Sequence, residues 1–257
     1  MSNDIEHALG RRAFAEFIGT ALLVIAVVGS GIAAQRLSPA DIGIELFENA
    51  AATAAALVAI ILAVGAVSGA HLNPVVTIAD RVLGAHMRWR DTGAYIAAQI
   101  SGGVAGVIIA NLMFGLPAIE ASTKAREAGH LWLSEAVATF GLLLVIFGAV
   151  RARRTSVIPF AVGAYIGAAY FFTSSTSFAN PAVTIARTMT NTFSGIKPSS
   201  APMFIVFQVV GAAVAVGVVT ILYPAMRSRA DDVVMPHDQT SVPAASPERV
   251  DAVTEQP

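Results

Sequence analysis

Six polar residues stand inside long apolar stretches of this chain, and they fall into three pairs. Asn73 and Asn180 each precede a proline, in SGAHLNPVVTIADR (68–81) and SFANPAVTIARTMT (177–190). Glu16 and Glu135 occupy matching places in AEFIGT (15–20) and SEAVAT (134–139), and Gln99 and Gln208 do so in AAQISGGVAG and VFQVVGAAVA. With Asn73 set over Asn180, Pro74 meets Pro181, Val76 meets Val183, and Thr77, Ile78 and Ala79 meet Thr184, Ile185 and Ala186. The chemistry on offer is hydrogen bonding rather than bond making. An amide donates and accepts, and a buried carboxylate collects N–H donors. The His, Asp and Ser residues form no recognisable triad or ligand cluster, so the expectation is no enzyme, no catalytic residue, no metal and no cofactor. The chain has no cysteine, which excludes a disulfide framework and a thiol nucleophile and leaves the redox compartment unread.

The elements that must hold these pairs are membrane spans. Of the 257 residues, 55% are hydrophobic and only 13% charged, against about 25% charged in a soluble domain. Six apolar runs approach or exceed the roughly 20 residues that cross a bilayer, at 12–34, 46–67, 93–114, 131–150, 157–174 and 202–223. The first is too long for a cleavable signal and reads as a retained span. Residues 1–10 read as an N-terminal tail, 11–227 as one channel-like domain with repeats at about 11–114 and 131–226, and the polar stretch 228–257 as a disordered C-terminal tail. Ten Lys and Arg residues flank the spans on the side of the termini and five on the other, so the positive-inside rule places both termini in the cytoplasm of a multi-pass protein of the cell (inner) membrane. Trp89 and Trp132 stand beside span ends, as interfacial aromatics do. A net charge of −1 argues against nucleic acid as a partner.

Two apolar segments, 73–83 and 180–190, are too short to cross. Proline suits the first helical position, because its missing N–H would have no intrahelical partner, and asparagine before it is a good N-cap. Each Asn-Pro pair therefore starts a helix of about ten residues, enough for half a bilayer. Three spans per repeat put the second repeat upside down relative to the first. The two half-helices then enter from opposite faces, and their positive ends meet near the midplane. Non-helical backbone at that depth must be buried in protein or line a watery path. The fold expected is an all-α membrane protein with six transmembrane helices plus two half-helices in an inverted repeat, around a pore for neutral hydroxylated molecules.

These motifs resemble the aquaporin, or major intrinsic protein, family, over about residues 11–226. The resemblance implies a homotetramer with one pore per subunit and passive flow of water, glycerol, urea or similar solutes across the lipid bilayer. It makes Asn73 and Asn180 pore-midplane residues that donate into the pore, and Glu16 and Glu135 structural supports that hold backbone N–H groups of the motif loops. Gln99 and Gln208 pack between spans or hold loop carbonyls. His71 reads as a hydrogen-bonded spacer, with a pH gate as the alternative, and Asp80 as a residue of the cytoplasmic mouth.

Two departures stand out. Val75 replaces the family's usual alanine and adds bulk where the half-helices touch. Val183 replaces the arginine that usually follows the second motif at the narrowest point. Spacing from the asparagines assigns the selectivity filter to Thr53, Ala168, Ser177 and Val183; a slip of two residues would substitute Tyr170 for Ala168. The expectation is a wide, weakly polar constriction without a cation barrier, passing glycerol-sized solutes including trihydroxy-arsenic(III), that is, arsenite. A bacterial subgroup linked to arsenic detoxification is similar in having valine there. In the first alternative, Arg187, one turn beyond Val183, completes a water-selective filter. In the second, the inverted repeat serves an ion-coupled transporter.

Overall fold

The computed structural model describes residues 9–84 and 87–224. The tail assigned to 228–257 lies outside these residues, as do most of the N-terminal tail and the end of the second repeat. Six long apolar helices of membrane-crossing character are present among the described residues. They are α1 (Leu9–Leu37), α2 (Ile42–Ser68), α4 (Trp89–Met113), α5 (Gly129–Arg151), α6 (Ile158–Phe172, entered through the 3₁₀ turn Thr155–Val157) and α8 (Ala201–Leu222). The two short helices, α3 (Pro74–Leu83) and α7 (Pro181–Arg187), fall after α2 and α6. Helix α1 has 29 residues, about 43 Å at the usual rise per residue, so its ends pass beyond a hydrocarbon core of about 30 Å.

The packing repeats. Helix α1 lies against α4 and α2, as α5 lies against α8 and α6. Each half-helix also touches the last helix of the other repeat, α3 on α8 and α7 on α4. Glycine sets the closest approaches. A Cβ on Gly102 of α4 would strike the backbone of Phe17 on α1, and a Cβ on Gly211 of α8 would strike the backbone of Ala136 on α5. These glycines stand three residues after Gln99 and Gln208, on the same helix face. Phe17 and Ala136 directly follow Glu16 and Glu135. Bare backbone at the crossing therefore brings each glutamine to its glutamate, the small-residue packing expected between membrane helices.

The two half-helices are unequal. Helix α3 has ten residues, as the spacing predicts, and ends on Gly84, whose φ of 116° is left-handed. Helix α7 stops after seven, short of the expected end at 190. Its chain turns away to bond with the loop that follows α4. The Ser122 N–H donates to the Thr188 carbonyl at 3.0 Å, and the Glu120 N–H donates to the Met189 carbonyl at 3.1 Å.

Candidate functional site

Asn73 and Asn180 cap their helices. Asn73 Oδ1 accepts from the Val75 N–H at 3.1 Å, and Asn180 Oδ1 accepts from Ala182 and Val183 at 3.0 and 3.3 Å. Their amide groups then cross. Asn73 Nδ2 donates to the Ala179 carbonyl, and Asn180 Nδ2 donates to the Leu72 carbonyl, each at 2.8 Å. One proton of each amide is therefore spent on the opposite loop, which leaves a single N–H per asparagine for the cavity rather than the whole group.

The loops leading to these caps are held by carboxylates. Glu16 accepts from Ser68 Oγ at 2.6 Å, from the N–H groups of His71 and Leu72 at 2.9 and 2.6 Å, and from Gln99 Nε2 at 2.8 Å. Glu135 accepts from the N–H groups of Phe178 and Ala179, both at 2.9 Å, and from Gln208 Nε2 at 2.6 Å. Gripping consecutive N–H groups bends the backbone sharply. Ala70, Leu72, Ser177 and Ala179 all have φ between 48° and 51°, a region that residues with a Cβ rarely occupy. They stand three and one residues before each asparagine, so the strain is duplicated along with the motif.

Among the described residues the glutamines bond to side chains and to no loop carbonyl. Gln99 Nε2 reaches Thr77 Oγ1 and Gln208 Nε2 reaches Thr184 Oγ1, both at 2.9 Å, in addition to the glutamates. Each threonine hydroxyl in turn donates to the carbonyl of its cap, Asn73 or Asn180, at 3.1 and 2.8 Å. The result, in each repeat, is a closed circuit of glutamate, glutamine, threonine and asparagine backbone. The sequence carried a signal for the threonines, which recur in the motif, but their role needed the geometry.

One cavity runs beside the caps. Its polar wall holds His71, Asn73, Ser177 and Asn180. Its apolar wall is built from residues four apart: Leu23 and Val27 on α1, Thr53, Leu57 and Ile61 on α2, Leu142 and Ile146 on α5, and Ile158, Val162, Ile166 and Tyr170 on α6. The α6 stripe corrects the assignment made from spacing. Ala168 lies off that stripe and is exposed on the outer face, whereas Tyr170 is buried and lines the cavity. The Tyr170 hydroxyl lies 3.2 Å from Thr53 Oγ1. An aromatic ring therefore stands where a methyl was expected. Val183 and Ser177 line the same cavity, and Ser177 Oγ has no hydrogen-bond partner among the described residues.

Arg187 also lines this cavity. Its Nε donates to the Ser194 carbonyl, and its guanidinium carbon lies 3.3 Å from the Phe178 ring centroid. A cation thus remains in a cavity expected to have lost one. Arg126, in the loop after α4, counts in the sequence only among the basic residues that set the orientation, because it has no counterpart in the repeat to mark it as a site residue. It donates to the carbonyls of Gly195 and Ser175 at 3.3 and 3.1 Å. On the face toward the N-terminus, His71 Nδ1 is 3.2 Å from Thr77 Oγ1 and Nε2 is 3.7 Å from Asp80 Oδ2. Asp80 is buried rather than at an open mouth. No metal-binding group of three or more His, Cys, Asp or Glu occurs among the described residues.

Six crossing helices and two half-helices, tied head to head beside one amphipathic cavity, define an inverted-repeat membrane protein. The chain belongs to the major intrinsic protein family, which matches residues 5–179 and 156–248. This is a family of channels and not of enzymes, which sets aside the ion-coupled transporter. Among curated relatives, the chain is 48% identical to aquaglyceroporin AqpS of Rhizobium meliloti (strain 1021) over 221 residues, 86% of this chain and 94% of that one. It is 33% identical to aquaporin NIP3-1 of Oryza sativa subsp. japonica, covering 63% of this chain and 51% of that one. It is also 33% identical to human aquaporin-2, covering 57% and 54%. The X-ray structure of the aquaglyceroporin from Plasmodium falciparum has the same fold, with a TM-score of 0.66 at 20% identity over 85% of this chain and 99% of that one.

Proposed function

We propose that this protein is a passive channel for small neutral solutes of the aquaglyceroporin type, passing glycerol, urea and trihydroxy-arsenic(III) as well as water. The observation that carries the reading is Val183 in the cavity wall, at the third position after Asn180. An arginine there would present five donors and a fixed charge; valine presents two methyl groups and leaves more width. The filter we assign is Thr53, Tyr170, Ser177 and Val183, with Asn73 and Asn180 at the midplane. The Ser177 hydroxyl, without a partner among the described residues, and the second amide proton of each asparagine on one wall suit a polyol's hydroxyls. The aliphatic stripes on the other wall suit its carbon skeleton. Such an amphipathic passage selects by size and hydrogen bonding. Kinship with AqpS, itself an aquaglyceroporin by name, supports the class, and the arsenite substrate is our extension from the filter. Glu16, Glu135, Gln99 and Gln208 act as supports, and His71 as a hydrogen-bonded spacer. The channel is a homotetramer in the cell membrane with both termini cytoplasmic.

The second reading, a water-selective pore with Arg187 in the filter, draws on the presence of both Tyr170 and Arg187 in the cavity. Light-scattering measurements on proteoliposomes decide between them. Flux of glycerol and arsenite without an ion gradient supports the first reading, and flux of water alone supports the second. Val183→Arg is expected to cut glycerol and arsenite flux about tenfold or more while sparing water. Unchanged arsenite flux in that variant would show that Val183 does not stand at the constriction.

A further inference from the structure

We propose that this pore divides between two residues the tasks that one filter arginine would combine: Val183 leaves the width, and Arg187, one turn further along α7, supplies the electrostatic barrier to cations. The proposal rests on the reading of the cavity as the permeation path.

Three observations carry it. First, the Arg187 side chain lines the cavity yet is only 2% exposed. Its Nε is engaged by Ser194, but its terminal amino groups make no hydrogen bond among the described residues. Second, no carboxylate lies within ion-pair distance. Among the described residues the ion pairs are Arg12–Asp91 and His71–Asp80, and neither involves Arg187. A charge in so confined a place, with no carboxylate in contact and the nearby Glu135 carboxylate engaged by the Phe178 and Ala179 N–H groups and by Gln208, projects its potential into the adjoining space more strongly than one in open water. Third, the charge is held in place. The Ser194 carbonyl fixes Nε, the Phe178 ring lies under the guanidinium at 3.3 Å, and Arg126 approaches the same ring at 5.1 Å. Arg126 also ties down Gly195, the neighbour of Ser194. It is therefore a positioning residue, which braces the carbonyl that holds Arg187.

The positive ends of α3 and α7 oppose cations at the midplane. Arg187 stands at the other end of α7, toward the face that carries the loop after α4. A cation entering from that face meets Arg187 before it meets the caps. A neutral polyol meets a donor-rich wall there and is not repelled.

The test uses the full chain in proteoliposomes loaded with a pH-sensitive dye. A potassium diffusion potential drives proton entry, and glycerol flux is read by light scattering on the same vesicles. Wild type is expected to pass glycerol with proton entry no faster than in protein-free vesicles. Arg187→Leu is expected to raise proton entry by roughly tenfold while glycerol still passes, whereas Arg187→Lys keeps the barrier. Arg126→Gln is expected to raise proton entry by a smaller factor, with Arg187 still present but less firmly held. Should Arg187→Leu fail to fold, Arg187→Gln retains a donor for the Ser194 carbonyl and gives the same readout. Glycerol flux with wild-type proton exclusion in the Leu or Gln variant overturns the proposal. Absence of glycerol flux in wild type overturns the wide-solute reading of the pore instead.

Discussion

Asn73 and Asn180 hold each other's loops: each side-chain amide donates at 2.8 Å to the carbonyl of the residue that precedes the other asparagine. The junction of the two repeats is therefore a reciprocal pair of buried hydrogen bonds as well as a meeting of helix ends. Removing either partner leaves a buried carbonyl unpaired.

Asn180→Ala loses a cap, worth about 1 kcal/mol, and orphans the Leu72 carbonyl, at about 1–3 kcal/mol, so a loss of roughly 2–4 kcal/mol is expected in detergent-solubilised protein. Asn180→Asp keeps the cap acceptor but turns an oxygen toward that carbonyl. Thermal unfolding should show the Asp variant to be as damaged as the Ala variant. A wild-type Tm for Asn180→Asp would mean that the cross-tie contributes nothing.

The two carboxylates differ in load. Glu16 accepts from four groups and Glu135 from three. Glutamine at either place exchanges an acceptor oxygen for an N–H₂ that faces donors. Each change is expected to destabilise by about 2–5 kcal/mol. Glu16→Gln should be the more severe, and the order of Tm values for the two variants checks this.

Gly102→Ala and Gly211→Ala would push a methyl group into the backbone of Phe17 and Ala136. Backbone cannot yield as a side-chain tip does, so a loss of about 1–3 kcal/mol or more is expected for each. Gly217, also on α8, has nothing within 4 Å of an added Cβ. Gly217→Ala should be neutral, or stabilising by up to about 1 kcal/mol through helix propensity. Equal effects at Gly102 and Gly217 would contradict the packing.

The correction at α6 has its own test. Tyr170→Ala removes a ring from the cavity wall and is expected to raise the ratio of glycerol to water flux several-fold. Ala168→Leu, on the exposed face, should leave both fluxes within about twofold of wild type. The reverse pattern would restore the assignment made from spacing.

Lys124 lies in the loop after α4, outside the spans. Partial burial, together with the Arg126 and Arg187 guanidiniums, pushes its pKa down to about 8. A lysine in the unfolded chain titrates near 10.5. Between about pH 8 and 10.5 the unfolded chain therefore binds more protons than the folded one, and stability rises with pH over that window. Lys124→Met should flatten the rise, as read from Tm against pH in detergent. An unaltered slope would assign the effect to other groups.

The sequence by itself determined the spans, the inversion and the start of each half-helix. Apolar length, an asparagine cap and a first-turn proline act within a few residues of chain, and the duplication of Glu16, Gln99 and Asn73 as Glu135, Gln208 and Asn180 showed which residues belong together. Only the tertiary structure decided which face of α6 turns inward, placing Tyr170 rather than Ala168 in the cavity, because the turn after α6 sets the helix rotation and spacing from Asn180 does not record it. The same holds for the early end of α7, which follows from pairing with the distant segment 120–122, and for the left-handed backbone before each cap, which is imposed by a glutamate from another helix. Arg187 is the clearest case. Its type and number were plain in the sequence, but whether its charge lay in the cavity or beside it depended on a carbonyl, a ring and a loop arginine that meet it only in the folded chain.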